Sequence, residues 1–285
     1  MFPRIAIIEH MCESLSLFSE PTKAWFEHAF GQPTEAQAQA WPAIHSGRNV
    51  LVIAPTGSGK TLAAFLSAID RLMTVSRTRR AGVRVLYVSP LKALAVDVAK
   101  NLEQPLEGIA AQCEAQGLPA PKIAVANRSG DTTAQERRRI ASRPPDILVT
   151  TPESLYLLLT SKAGRILGTV DTVIVDEIHA VAGTKRGSHL ALSLERLENL
   201  VAESRRRDAM DRNDGESKVS DDSGNEPLLQ RIGLSATVNP PEEAARFLTG
   251  GRPVTIVNPG GRPAMDLRMV CLLYTSPSPR DSTSS

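Results

Sequence analysis

From Asn49 onward the chain alternates short, continuous apolar runs with longer stretches of helical period. The runs are "NVLVIAP", "RVLYVSP", "KIAVANRSG", "DILVTTP", "TVIVDE", "RIGLSAT" and "PVTIVNP", each rich in Val, Ile and Leu. A strand with one wet face alternates apolar and polar residues, whereas a strand covered on both faces is apolar throughout. Continuous runs separated by helices therefore predict an α/β domain over residues 49–265, a mainly parallel sheet with helices on both faces. One helix shows its period well: in "GSHLALSLERLENLVAE", Leu190, Leu194, Leu197 and Val201 fall on one face, with Glu195 and Glu198 turned elsewhere. Residues 1–48 precede the first run and read as a helical lead-in.

Two segments break the pattern. Residues 203–226, "ESRRRDAMDRNDGESKVSDDSGNE", are dense in charge, Ser, Asn and Gly, so they cannot offset their own ordering entropy and are predicted to be a disordered surface loop. Their Arg205, Arg206 and Arg207 fit a solvated helix end better than a nucleic-acid contact. Residues 271–285, within the final "CLLYTSPSPRDSTSS", end in Ser, Pro and Thr and resemble translated read-through of a sequencing adapter, a disordered and non-native tail.

Composition narrows the class without choosing a partner. With 285 residues and 41% hydrophobic content the chain can bury a proper core. No apolar run approaches the roughly 20 residues that cross a bilayer, so no membrane partner is expected and the predicted location is the cytoplasm. The three cysteines are far apart and show no metal-ligand spacing, which argues for reduced thiols. A net charge of +2 means that any hold on nucleic acid must come from local clusters.

The chemistry begins at "APTGSGKT", Ala54 to Thr61, directly after the first apolar run. Glycines here let backbone N–H groups turn toward a phosphate at a helix start. Thr56, Gly57, Ser58 and Gly59 form the cradle, Lys60 meets the outer phosphates, and Thr61 offers a hydroxyl to Mg²⁺. The second half of such a site is an acid pair ending another buried strand, and "TVIVDEIH" supplies it. Asp176 is the second Mg²⁺ ligand, and Glu177 is placed to orient and deprotonate an attacking water. The expected cofactors are ATP and Mg²⁺.

The form A-x-x-G-x-G-K-T is similar to the phosphate loop of superfamily 2 helicases, and Asp176-Glu177-Ile178-His179 resembles their DEAH-type box, which adds His179 to the catalytic group. "FGQPTEAQ" is similar to the adenine-reading Q motif, with Gln37 on the base and Phe30 either stacked near it or part of the core. "LSAT" looks like the coupling motif, carried by Ser235, Ala236 and Thr237. "SPLKALAVDV" (Pro90 and Lys92), "RSGDTTAQERRR" (Gly130 and Asp131) and "TTPESL" (Thr151, Pro152 and Glu153) match in order the motifs that seat nucleic-acid phosphates at helix starts.

"DEIHAVAGTKRGSHLALSLERL" closely resembles the Lhr family, the large helicase-related proteins, as do "YVSPLKALAVDV", "RPPDILVTTPESL" and "RIGLSATVNPPEEAARFL". The likeness spans roughly Leu15 to Val270. It implies a RecA-like P-loop NTPase fold and an ATP-driven motor that moves 3′ to 5′ along single-stranded DNA, separating duplexes or RNA–DNA hybrids, with a role in repair. Such a motor closes a second RecA-like domain over ATP, and no second phosphate site or arginine motif follows Thr237. The expectation is a first motor domain that folds alone and does not unwind alone. Two other classes stay open on the residues: a P-loop phosphotransferase, in which "SAT" has no task, and a nucleic-acid-binding module with a vestigial ATP site, against which Lys60, Thr61, Asp176 and Glu177 are all intact.

Overall fold

In the computed structural model, residues 13–74, 81–210 and 229–260 are described. Two helices, α1 (Glu20–Phe30) and α2 (Glu35–His45), precede β1 (Val50–Ile53), and α3 (Lys60–Thr74) follows it. Next come β2 (Val85–Val88), α4 (Lys92–Asn101), α5 (Glu103–Ala115), β3 (Val125–Arg128), α6 (Ala134–Ser142), β4 (Ile147–Thr150) and α7 (Pro152–Leu159). A 3₁₀ helix (Lys162–Thr169) leads into β5 (Thr172–Val175), the short α8 (Ile178–Val181) and the long α9 (Lys185–Met210), and β6 (Gln230–Ser235), α10 (Pro241–Thr249) and β7 (Thr255–Val257) complete the order.

The strands form one sheet of seven in the order β3-β4-β2-β5-β6-β1-β7, with every pairing parallel. Each lies within one of the apolar runs, except that β6 starts one residue early, at Gln230. Side chains alternate between two cores: Val50 and Val52 join one layer and Leu51 and Ile53 the other, as do Val85 and Tyr87 against Leu86 and Val88. Both faces being covered is what made the runs continuous.

The first layer holds α1 to α5, whose Trp25, Phe26, Trp41, Phe65 and Ile109 are buried on the sheet. The lead-in helices thus belong to the domain core. Trp41 is fully buried and its indole Nε1 donates to the Ala63 carbonyl at 3.1 Å, tying α2 to α3. Phe30 is not in that core. It is 53% exposed and meets Trp25 edge-on and Phe26 at a tilt, with ring centroids at 5.7 and 5.1 Å.

The second layer is α6, α7, α9 and α10, and the predicted stripe Leu190, Leu194, Leu197 and Val201 is buried there. The loop expected from Glu203 is corrected by this helix: residues 203–210 remain helical. Burial of Val201 and Ala202 carries the helix past the start of the charged run, and Arg205 pairs with Asp171 at 3.3 Å while Arg207 pairs with Glu203 at 3.1 Å. Residues 211–226 of that expected loop, the 271–285 tail, and the ends of the lead-in and the sheet domain at 1–12 and 261–265 lie outside the described residues. Among the described residues no helix is long and apolar enough to cross a membrane.

Candidate nucleotide and nucleic-acid site

The strand order divides the C-terminal edge of the sheet in two. Adjacent strands β5, β6 and β1 end in the acid pair, in Ser235-Ala236-Thr237 and in the glycine loop. Their neighbours β2, β4 and β3 end in Pro90 and Lys92, in Thr151, Pro152 and Glu153, and in Gly130 and Asp131. Parallel strands collect every such loop at one edge, where open α/β sheets bind ligands.

In the glycine loop Gly57 and Gly59 take φ of 82° and 78°, the left-handed region that side-chain-bearing residues avoid. Gly59 is required for a second reason, because a Cβ there would collide with the Gln37 carboxamide. Gln37 is buried at the start of α2. Its Oε1 accepts the Thr34 N–H at 2.9 Å, closing a capping box with Thr34, and its Nε2 donates to the Gly59 carbonyl at 3.3 Å. The Thr34 hydroxyl donates to the Ser58 carbonyl at 2.8 Å. The α2 start and the glycine loop are thus one hydrogen-bonded unit. A cleft of about 700 Å³ opens beside it, lined by Thr34, Glu35, the loop from Ile53 to Ser58, Thr237 and Asn258–Gly260.

Lys60 opens α3 and is 9% exposed. Its Nζ donates to the Ala54 carbonyl and, at 2.8 Å, to the Pro55 carbonyl. Burial lowers its pKa, and the Glu177 and Asp176 carboxylates oppose that shift, which puts the lysine within electrostatic reach of the acid pair. Thr61 follows it, half-buried in the first turn.

Asp176 continues β5 by donating its N–H to the Val88 carbonyl at 2.9 Å, and it is 7% exposed. Its carboxylate accepts the Tyr87 hydroxyl and, at 2.8 Å, the Glu177 N–H. Burial, and then the Asp176 charge, push the Tyr87 hydroxyl far above its ordinary pKa, so it stays a donor. Glu177 is the one non-glycine residue among those described with positive φ, at 48°. Such backbone strain costs about 1–3 kcal/mol and persists where the surroundings enforce it.

His179 supplies part of that enforcement. Its Nε2 lies 3.2 Å from Glu177 Oε2, its Nδ1 accepts the Ala236 N–H at 3.2 Å, and Ser235 Oγ is 3.4 Å from the same Nδ1. A nitrogen that accepts a backbone N–H carries no proton, which assigns the proton to Nε2, facing Glu177. The end of β6 is thereby wired to the acid pair through one imidazole.

On the other half of the edge, Pro90 is buried and Lys92 is exposed at the start of α4, paired with Asp131 at 2.8 Å. Thr151 is buried and caps α7, its Oγ1 accepting the Ser154 N–H at 3.4 Å, and Pro152 is buried behind it. Glu153 forms an ion pair with Arg186, whose Nη2 donates to Oε2 at 3.0 Å, and this holds the Glu153 carboxyl below its usual range. Two carboxylates, Asp131 and Glu153, therefore stand among the expected phosphate seats, each with a cation on it. Tyr87 was absent from the sequence expectations because it looks like any other residue of a buried strand. So were Arg128 and Arg137, which flank Gly130 and Asp131.

The family model for DEAD/DEAH box helicases matches residues 34–245, and the chain belongs to that family. It is 56% identical over 255 residues to the Lhr helicase/probable uracil glycosylase of Mycolicibacterium smegmatis, covering 90% of this chain and 15% of that protein. It is 49% identical over 260 residues to the Lhr helicase/uracil glycosylase of Escherichia coli, covering 89% and 15%. A solved structure of Mycobacterium smegmatis helicase Lhr bound to ssDNA and AMP-PNP superposes with a TM-score of 0.73 at 57% identity, over 86% of this chain and 28% of the other. Within its family the chain is thus an Lhr-type motor domain with a RecA-like fold, and it spans about 15% of the length of those two relatives.

Proposed function

We propose that this chain binds ATP with Mg²⁺ and hydrolyses it as the first motor domain of an Lhr-type helicase, gripping a nucleic-acid backbone beside the nucleotide. The observation that carries the reading is the path from Glu177 through His179 to Ser235 and Ala236, which joins a hydrolytic acid to the end of β6, the strand between the acid pair and the glycine loop.

The residues fit the nucleotide. The Ser58 hydroxyl is enclosed with no partner among the described residues, and the glycine loop presents a helix start to an anion. Thr56 to Gly59 cradle the phosphates, Thr61 and Asp176 hold the metal, and Gln37, buried and bonded to Thr34 and Gly59, exchanges the Gly59 carbonyl for the base. Lys60 exchanges the Ala54 and Pro55 carbonyls for phosphate oxygens. Bound ATP supplies the phosphoryl group whose transfer to water releases the driving free energy. Glu177 orients the water and accepts its proton, with the proton on His179 Nε2 holding the carboxylate in place. Tyr87 holds the Asp176 carboxylate in its direction through the hydroxyl hydrogen bond.

Pro90, Lys92, Gly130, Asp131, Thr151, Pro152 and Glu153 line the nucleic-acid half, where backbone N–H groups and Lys92 meet phosphates and Asp131 and Glu153 position cations. The solved relative holds ssDNA and AMP-PNP together, which supports single-stranded DNA as partner; movement 3′ to 5′ and action on an RNA–DNA hybrid rest on the family resemblance alone. Unwinding requires a second RecA-like domain closing over the nucleotide and completing its charge stabilisation.

The test separates grip from chemistry. Glu177→Gln is expected to leave ATP binding near normal and to lower turnover by about 10²–10⁴-fold, the range of one general base. Lys60→Ala is expected to weaken binding itself. Wild-type turnover in the Glu177→Gln chain would remove Glu177 from the role.

A further inference from the structure

We infer that Arg128 and Arg137 form a seat for a phosphodiester of single-stranded nucleic acid, at the outer end of the track proposed above; the inference rests on that reading. Arg128 closes β3, the edge strand, and its carbonyl accepts the Thr150 hydroxyl at 2.8 Å, so it stands beside Thr151. It is 8% exposed, yet its guanidinium makes no hydrogen bond or ion pair among the described residues, and Nη1 is enclosed without a partner. Arg137 reaches back from α6, where Nη2 donates to the Gly130 carbonyl at 2.9 Å and the Ser129 carbonyl at 3.4 Å. Its Nε is also enclosed without a partner.

A buried cation lacking a counter-charge costs several kcal/mol, so proteins normally give it an acid. The nearby acids are occupied. Glu136 is spent on the α6 cap, accepting the Thr133 N–H at 3.0 Å, and Asp131 is 76% exposed and paired with Lys92. Burial, and then the charge of Arg137, depress the Arg128 pKa, which marks the same uncompensated pair. Arg138, Arg139 and Arg143 are exposed on and after the same helix and add positive potential with no acid between them. No described residue satisfies this group, and an external anion that matches the planar guanidinium fork, as a phosphate does, would.

Position selects a phosphate in a strand over a free anion. Lys92, Thr151 and Arg128 end or follow β2, β4 and β3, which are neighbours in that order. At about 4.8 Å between strands the line covers roughly 10 Å, room for adjacent phosphates of one strand and more than a single free anion spans. Gly130 fits the same line: a Cβ there would lie 3.2 Å from Lys92 Nζ, so the bare backbone lets Lys92, Arg128 and Arg137 crowd one loop.

The experiment measures anisotropy of fluorescein-labelled oligo-dT and oligo-U on the 285-residue chain with AMP-PNP, across a salt series, for wild type, Arg128→Gln and Arg137→Gln. Arg128→Gln is expected to weaken binding about tenfold on both oligonucleotides, the worth of one charged hydrogen bond, and to make the log-log salt slope shallower by about 0.7, one phosphate contact on a single strand. Its melting temperature should be equal or higher, since a lone buried charge is removed. Arg137→Gln should also weaken binding. If wild type binds and Arg128→Gln matches it in affinity and slope, the inference fails and the proposed function stands. If wild type binds neither oligonucleotide, the proposed function fails and the inference with it. A melting temperature that drops by many degrees in Arg128→Gln, with slope unchanged, would make the arginine structural and also overturn the seat.

Discussion

Arg231 and Arg128 are buried arginines in strands of one sheet, at opposite ends of it. Arg231 is the second residue of β6 and is 1% exposed; its Nη1 donates to Glu195 at 2.8 Å and to the Leu248 carbonyl at 3.0 Å, and its Nη2 bonds Glu198. Arg252 adds a second cation to the same two acids, at 2.8 and 3.4 Å. Only the Arg231 Nε is left over. The Arg128 guanidinium, at the end of β3, has no hydrogen-bond or ion-pair partner among the described residues. The N-terminal end of the sheet is thus neutralised from within, by acids that α9 and a cation that the β7 approach bring to it. At the C-terminal end the Arg128 charge is left unspent among the described residues. Loops at that end are where a parallel sheet meets its ligands, so a missing counter-charge there carries functional meaning that the same gap at the other end would not.

The largest effect belongs to the closed end. Arg231→Ala strands Glu198, 14% exposed, with only the half-exposed Arg252 nearby. Breaking a buried pair by removing one partner costs about 3–5 kcal/mol, whereas replacing the whole pair with apolar residues is often neutral. Urea unfolding should therefore show a loss of about 3–5 kcal/mol for Arg231→Ala, mostly restored in Arg231→Met with Glu198→Leu. A loss below about 1 kcal/mol for the single variant would mean that solvent already screens the cluster, and the contrast with Arg128 would shrink to a difference of exposure.

This contrast was closed to the sequence, although most of the sheet was open to it. The seven strands are legible because burial on both faces writes itself as unbroken apolar runs, and the phosphate loop and acid pair are legible because their chemistry fixes residue type and spacing. Whether Arg231 is paired depends on Glu195 and Glu198, more than 30 positions earlier on a helix whose packing sets their direction. Tyr87 was hidden for a related reason. Its task follows from the β2–β5 register, in which Tyr87 pairs with Ile174 and so lies beside the start of the acid pair. The α9 end was misread because composition marks disorder only where no neighbouring element accepts the charges, and Asp171 accepts Arg205.

A middle-sized effect comes from acid. Hydrogen bonding from Arg252, then from Arg231, holds the Glu195 carboxyl at about 2, against an ordinary 4.5. A group whose folded pKa is depressed contributes stability above its unfolded pKa and loses it as pH falls through the folded one. Stability should decline from about pH 4.5 toward 2 on this account, by about 1 kcal/mol or less, because Glu195 is 40% exposed and water screens the pair. Glu195→Gln should flatten that part of the profile. An identical acid limb in both chains would leave the closed end without its expected titration.

The smallest effect is the sharpest test of the open end. Removing a lone buried cation relieves desolvation and breaks no bond, so Arg128→Met should keep the stability of the wild type or exceed it by up to about 1 kcal/mol, opposite in sign to Arg231→Ala. An anion that binds only the folded state stabilises it by RT ln(1 + [L]/Kd), which is about 0.4 kcal/mol when the concentration equals Kd. For a domain of this size that is a rise of about 1 °C in melting temperature. Inorganic phosphate also stabilises proteins generally, through exclusion from their surfaces, and that part should be common to both chains. The measurement is therefore the difference between them: phosphate should raise the wild-type melting temperature about 1 °C more than that of Arg128→Met, while the general part cancels. Equal rises in the two chains would show that Arg128 does not meet the anion, and the two ends of the sheet would then differ in pairing without differing in purpose.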